Sequence, residues 1–257
     1  MTEVVLTERR GAVLVVTINR PESRNAINPA VTQGIDDALS AAEQDAAIGA
    51  VILSGAGDKA FSAGMDLKHV AQHGGEGVAT PGGGFAGVVK RQFPKPLIAA
   101  VNGMALGGGF EIALACDLIV AAEHATFGLP EVKRGIIAGA GGLIRLGRLL
   151  PRAAALEIAM TGESISAGRA QQLGLVSRVV PAGELIDAAI VLADLITANG
   201  PLAVRLSKQV IDAAPDGTLD EAWQRNDAAV AIIVQSEDMR EGLRAFAEKR
   251  RPVWTGR

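Results

Sequence analysis

The chain has 257 residues, 49% of them apolar, which allows one large core and excludes a disordered chain. A net charge of −3 and the absence of tyrosine argue against a nucleic-acid partner, whether by bulk electrostatics or by an aromatic platform. The single cysteine, Cys116, rules out an internal disulfide, and the chain's start lacks a basic-then-apolar signal pattern, so a cytoplasmic protein is expected.

Residues 4–9 and 12–19 alternate apolar and polar around Arg10-Gly11, which predicts a β-hairpin. Asn28-Pro29 supplies a cap and a first-turn proline for a helix to about residue 46. A strand at 50–53 leads through a turn at 55–58 to Phe61-Ser62, and Gly64 opens a helix carrying Lys68 and His69. Residues 72–87 hold many glycines and almost no periodicity, which predicts a mobile loop. Residues 97–101 form an apolar strand, and a second strand pair is expected at 118–122 and 125–127. The region 97–122 is broken by Asn102, Glu111 and Asp117, so it reads as buried core and not as a membrane span. Helices are expected at 141–150, before Thr161-Gly162, and at 166–173, followed by a last strand at 176–180. From Gly183 the pattern is helical throughout, over 184–198, 201–213, 218–235 and 237–249, with an extended tail. An α/β region to about residue 180 is therefore followed by helices alone.

The most informative run extends from Pro96 to Gly142. The strand at 97–101 passes Asn102-Gly103 and reaches Gly107-Gly108-Gly109, after which a helix begins. Glycines before a helix let a ligand approach backbone N–H groups that lack internal partners and sit at the positive end of the dipole. An oxygen that gains negative charge in a reaction could be held there. Glu111 lies on the first turn of this apolar helix, and Glu131 follows a Gly-Leu-Pro turn. Two carboxylates beside an anion hole suit acid–base chemistry next to a carbonyl. On spacing alone a plainer account stands beside this one: Glu111 caps its own helix, the glycines only turn, and Glu131 is solvated.

Other patterns carry less. Gly82-Gly83-Gly84-Phe85-Ala86-Gly87 fits the dinucleotide glycine pattern but follows a loop and not a strand. His69 and His73 have the spacing of zinc ligands, yet no glutamate lies between them and Gly74 ends the helix, so surface histidines are expected and no metal site is assigned. Cys116 reads as a small core hydrophobe, and Lys249-Arg250-Arg251 as a solvated terminus.

Three segments together resemble the enoyl-CoA hydratase/isomerase (crotonase) superfamily over nearly the whole chain: Ala63-Gly64-Met65-Asp66-Leu67, Gly107-Gly108-Gly109-Phe110-Glu111 and Pro130-Glu131. The resemblance implies an α/β fold, a spiral of ββα turns over 1–180 bearing the acyl-CoA site. Over 181–257 it implies a C-terminal helical oligomerisation domain that builds trimers or a dimer of trimers. It also implies that a CoA thioester places its carbonyl oxygen between the N–H groups of Met65 and Gly108. Glu111 and Glu131 would then hold a water over the double bond, with Glu131 delivering the α proton and the N–H of Gly139 orienting the water. Ala63, Gly64, Asp66 and Leu67 resemble the adenine-binding segment, with Lys68 and Arg24 near phosphates. Phe246 and Lys249 resemble residues that reach CoA from a neighbouring subunit, although helix packing alone would explain Phe246. No separate cofactor is implied, since CoA enters as the thioester.

Having both acids favours water addition to trans-2-enoyl-CoA over isomerisation. Pro81-Gly-Gly-Gly-Phe-Ala-Gly, Ser236-Glu237-Asp238 and the C-terminal Ala-Glu-Lys-Arg-Arg-Pro-Val-Trp-Thr-Gly-Arg resemble the carnitinyl-CoA dehydratase branch. The chain departs from that branch at Met65, where a larger aromatic is expected, and at Ala138, where many members carry proline. A CoA-binding protein without catalysis is the reading from another class, and the intact glutamates weigh against it.

Overall fold

The structure is a computed structural model that describes residues 3–257; the first two residues of the expected 1–180 region lie outside it. The N-terminal hairpin forms as expected, with β1 (Val5–Arg10) antiparallel to β2 (Val13–Ile18). Helix α1 (Pro29–Gln44) is capped by the Asn28 side chain, which accepts from the Val31 N–H.

The next segments repeat one plan. Strand β3 (Ala50–Gly55) is followed by β4 (Ala60–Ser62) and helix α2 (Leu67–His73). After a short hairpin, β5 (Ala79–Thr80) and β6 (Gly84–Phe85), come β7 (Leu97–Val101), β8 (Met104–Leu106) and helix α3 (Gly108–Ala115). Strands β9 (Leu118–Ala122) and β10 (Thr126–Gly128) then lead into a 3₁₀ turn, Pro130–Arg134. The first strand of each unit joins a six-stranded sheet of order β1-β2-β3-β7-β9-β12, and the second joins a four-stranded sheet of order β11-β10-β8-β4. Neighbouring units pair in parallel in both sheets, which makes the path a spiral. Strands β9 and β10 therefore do not pair with each other, contrary to the expected strand pair; a tight turn at Ala122–Ala125 sends the chain from one sheet to the other.

Helices α4 (Gly142–Leu149) and α5 (Arg152–Thr161), strand β11 (Ile165–Ser166), helix α6 (Ala167–Gln172) and strand β12 (Arg178–Val180) complete this part. Four helices follow: α7 (Leu185–Thr197), α8 (Pro201–Ala213), α9 (Leu219–Gln235) and α10 (Glu237–Ala247). Alternate residues of the large sheet face opposite ways. Val51, Leu53, Ala99 and Val101 join the core under α1. Ile52, Ile98, Ala100 and Val120 pack against Leu185, Ala189 and Ala193 of α7. A parallel sheet covered on both faces needs such continuous apolar strands.

Two expectations are corrected. Residues 72–87 are not a featureless loop: they carry the β5–β6 hairpin and bury Val78 and Ala86. The basic run near the C-terminus is not simply solvated. The Arg250 guanidinium donates to Glu241 Oε1 at 2.6 Å and Oε2 at 3.0 Å, and Glu241 also accepts from the Val253 N–H. The forked pair holds the Glu241 carboxyl well below its usual range.

Candidate active site

Each of the three segments singled out above leaves the end of a strand of the four-stranded sheet. Strand β4 runs into Ala63-Gly64-Met65, β8 into Gly107-Gly108, and β10 into Leu129-Pro130-Glu131. Because these strands are adjacent and parallel, their exits meet. Gly64 has φ +83, and a Cβ built on it would lie 2.8 Å from the Gly108 nitrogen. Gly107 has φ +55, and a Cβ there would lie 2.9 Å from Glu131 Oε1. A side chain at either position would separate the segments, so glycine is required for both backbone angle and approach.

The amides here are unequally engaged. Ala63 N–H donates to Arg24 O, Gly64 N–H to the Ser62 hydroxyl, Asp66 N–H to Ile27 O and Gly107 N–H to Gly128 O. Among the described residues, no turn, cap or loop bond takes up the N–H of Met65, Gly108 or Gly139. Gly108 also opens α3, where the helix dipole adds partial positive charge.

Glu111 is 3% exposed on α3. Its Oε1 accepts from the Ala140 N–H at 2.7 Å and the Gly142 N–H at 2.9 Å, at the start of α4. It does not cap its own helix. Burial raises its carboxyl above the usual range, these two bonds oppose the rise, the Glu131 charge adds to it, and the Arg145 cation opposes it. Glu131 stands on the 3₁₀ turn and is likewise raised, chiefly by burial. Its Oε2 is buried and bonds no protein group among the described residues. Such an oxygen calls for a water or a ligand.

The holders of Glu111 escaped the sequence. Ala140 and Gly142 act through backbone N–H groups about thirty residues downstream, and no side-chain pattern marks them. Phe85 was also missed: a Cβ on Gly108 would lie 2.6 Å from Phe85 Cε1, so the hairpin lays this ring over the start of α3. Its signal was an aromatic inside a glycine-rich stretch.

The remaining candidates are more dispersed. The Asp66 carboxylate caps α2 through Lys68 and His69 N–H and accepts from Arg20 at 3.0 Å, so it is occupied within the protein. Leu67 and Lys68 are exposed on α2. Arg24 sits at φ 53 on a cavity of about 300 Å³ whose lining includes Asn25, Asp58 and Lys59. Phe246 projects from α10, 87% exposed, and Lys249 adopts φ 55 just beyond that helix. His69 and His73 stack at 4.8 Å between ring centres. A second cavity, of about 390 Å³, adjoins Glu131 between the 3₁₀ turn, α4 and α5.

Residues 8–257 match the family described as enoyl-CoA hydratase/isomerase, and the chain belongs to that family. The carnitinyl-CoA dehydratase of Salmonella enteritidis PT4 (strain P125109) is 42% identical over 262 residues, covering 100% of both chains. Among solved structures, an enoyl-CoA hydratase from Mycobacterium tuberculosis H37Rv superimposes with a TM-score of 0.95 at 48% identity, covering 100% of both. A carnitinyl-CoA hydratase from Mycobacterium avium does so with a TM-score of 0.80, also at 48% identity and with 100% of both covered. The observed spiral is the crotonase fold that the three segments implied. Among the described residues, no single helix is long and apolar enough to cross a membrane.

Proposed function

We propose that the protein is a hydro-lyase that adds water across trans-2-enoyl-CoA to give the 3-hydroxyacyl-CoA, or removes it in reverse. The observation that carries this is the meeting of the three strand exits, with two free amides, Met65 and Gly108, beside the buried Glu111 and the partly buried Glu131, whose Oε2 is enclosed. The thioester carbonyl oxygen accepts from both N–H groups, which stabilise the enolate charge; losing one such donor costs about 10²–10³ in rate. Glu111 takes a proton from water as its oxygen bonds the β carbon. Glu131, which burial helps to keep its proton, delivers one to the α carbon. The Gly139 N–H orients the water.

In this reading no cofactor is needed beyond the CoA of the thioester. Ala63, Gly64 and Leu67 receive the adenine, and Arg24 and Lys68 receive phosphates. Asp66 contributes through its backbone, since its carboxylate is already engaged. Phe246 and Lys249 reach the CoA of a neighbouring subunit in a trimer or a dimer of trimers built by residues 181–257, and the enzyme works in the cytoplasm.

The carnitinyl-CoA relatives favour a second reading, dehydration of carnitinyl-CoA. The cavity beside Glu131 supports the first. Its walls are aliphatic, from Leu129, Ile137, Ala138, Leu146 and Ala155, and apart from Glu131 its charged group is Arg152. A trimethylammonium group favours aromatic faces or a spare carboxylate, and an arginine repels it.

The test follows loss of enoyl absorbance with crotonyl-CoA and with crotonobetainyl-CoA. Faster turnover of crotonyl-CoA is expected. Activity confined to crotonobetainyl-CoA would establish the second reading. Glu111→Gln and Glu131→Gln should each lower kcat by about 10²–10⁴ with CoA affinity retained, and near-normal turnover in either would remove the two-carboxylate mechanism.

A further inference from the structure

We propose that Arg145 is a positioning residue that ties the Phe85 hairpin to the Glu111 carboxylate, so that the cover over Gly108 and the base are set together. Arg145 lies one turn into α4, and its N–H bonds Gly141 O. Its guanidinium turns back over the start of the helix: a Cβ on Gly141, at φ +95, would lie 2.5 Å from Nη1. From there Nη2 donates to the Val89 carbonyl. Residues 88 and 89 in turn donate their N–H groups to Phe85 O, both at 3.3 Å. The same α4 start supplies the Gly142 N–H that holds Glu111. A continuous path therefore runs from the ring over Gly108, through Val89 and Arg145, to the peptide units gripping Glu111.

Charge points the same way. The Arg145 guanidinium is half-buried and makes no salt bridge among the described residues, whereas Arg20 and Arg91 each pair with a carboxylate. A half-buried cation whose sole acceptor among the described residues is a neutral carbonyl still loses hydration, which a nearby anion offsets. Glu131 on the 3₁₀ turn and Arg145 on α4 bear on Glu111. Cys116, Glu111 and Arg148 act electrostatically on Arg145, and Asp117 and Lys208 act on Cys116. Of these neighbours Glu111 is the carboxylate closest in effect to the guanidinium, and each favours the charged form of the other. The role of Arg145 rests on the reading of Glu111 as the base.

The experiment compares wild type with R145M and R145K by two independent readouts. Carboxylate titration is followed by ¹³C NMR, with E111Q supplying the Glu111 assignment, alongside the pH profile of kcat/KM. Amide hydrogen exchange is followed at Val88 and Val89. In R145M, Glu111 titrates at higher pH, and kcat/KM falls about tenfold more at the acid end than on the plateau. Exchange at Val88 and Val89 accelerates about tenfold. R145K, which keeps the charge and loses the Nη2 that reaches Val89 O, restores the acid end without restoring exchange protection. If R145M does not fold, R145K decides alone, since unchanged protection at Val88 and Val89 overturns the tether. Wild-type titration and protection in R145M overturn the proposal outright. If wild type hydrates no enoyl-CoA while the NMR titration still moves in R145M, the proposed function fails and the Arg145 coupling stands.

Discussion

Substituting alanine at Gly142 tests the grip on Glu111 without touching the carboxylate. The added Cβ would lie 2.8 Å from Glu111 Cγ and 3.1 Å from Oε1. Cγ must retreat by about 0.6 Å to reach ordinary contact at 3.4 Å, and it sits in a closed core between α3 and the start of α4. A displacement approaching 1 Å at a reacting group costs on the order of 10² in rate. G142A should therefore lose about 10²-fold in kcat, equivalent to about 2.7 kcal/mol of barrier, while binding CoA nearly as wild type. Overpacking should also lower stability by about 1–3 kcal/mol. Gly139→Ala is the matched control. Its Cβ would meet nothing closer than Ile137 O at 4.0 Å, and its backbone N–H would remain, so kcat should change by less than about threefold. The assay is steady-state hydration of crotonyl-CoA beside a thermal melt. Wild-type kcat in G142A, or equal damage in G139A, would refute the reasoning.

Glu111→Gln should also change the pH dependence of stability. Burial lifts the native Glu111 carboxyl above its ordinary 4.5, so between those values the native state binds the extra proton and stability falls as pH rises. E111Q lacks that loss: its melting temperature should gain on wild type as pH climbs above about 4.5, then level off, and a difference independent of pH would disprove this. Cys116 should resist thiol reagents at pH 8 in the folded protein, because burial pushes its thiol up and its Sγ donates to Ile112 O. Cys116 is partly exposed, so rapid labelling without denaturant would show that its thiol ionises readily where it stands.

The segments that gather at the candidate site were legible because they are written in residues with few uses. Three glycines at the start of an apolar helix, and a glutamate inside that helix, have a narrow range of physical explanations. The cap at Asn28 located one helix start, since its side chain accepts from an N–H that the helix leaves free. What failed to show was contact made by backbone or across distance. The amides of Ala140 and Gly142 leave no trace in residue type, and two-residue strands such as β5 and β6 are too short to show a period. Arg145 looked like one more charge on an amphipathic helix, because its acceptor is a carbonyl 56 residues away.

The spiral has a consequence for how this family can vary. Each of β4, β8 and β10 delivers one part of the site at its end, and the lateral spacing of parallel strands, about 4.8 Å, fixes how far apart those parts stand. The small sheet thus works as a ruler with three marks. Gly64 and Gly107 cannot be exchanged, because a Cβ at either would strike the neighbouring exit, so variation at the marks is left to positions such as Met65 and Glu131. A single residue added between β8 and Gly107 would instead move that mark by about 3.3 Å and carry its amide out of reach. Chemistry on this scaffold can change by substitution at the non-glycine positions of the exits, whereas length there cannot.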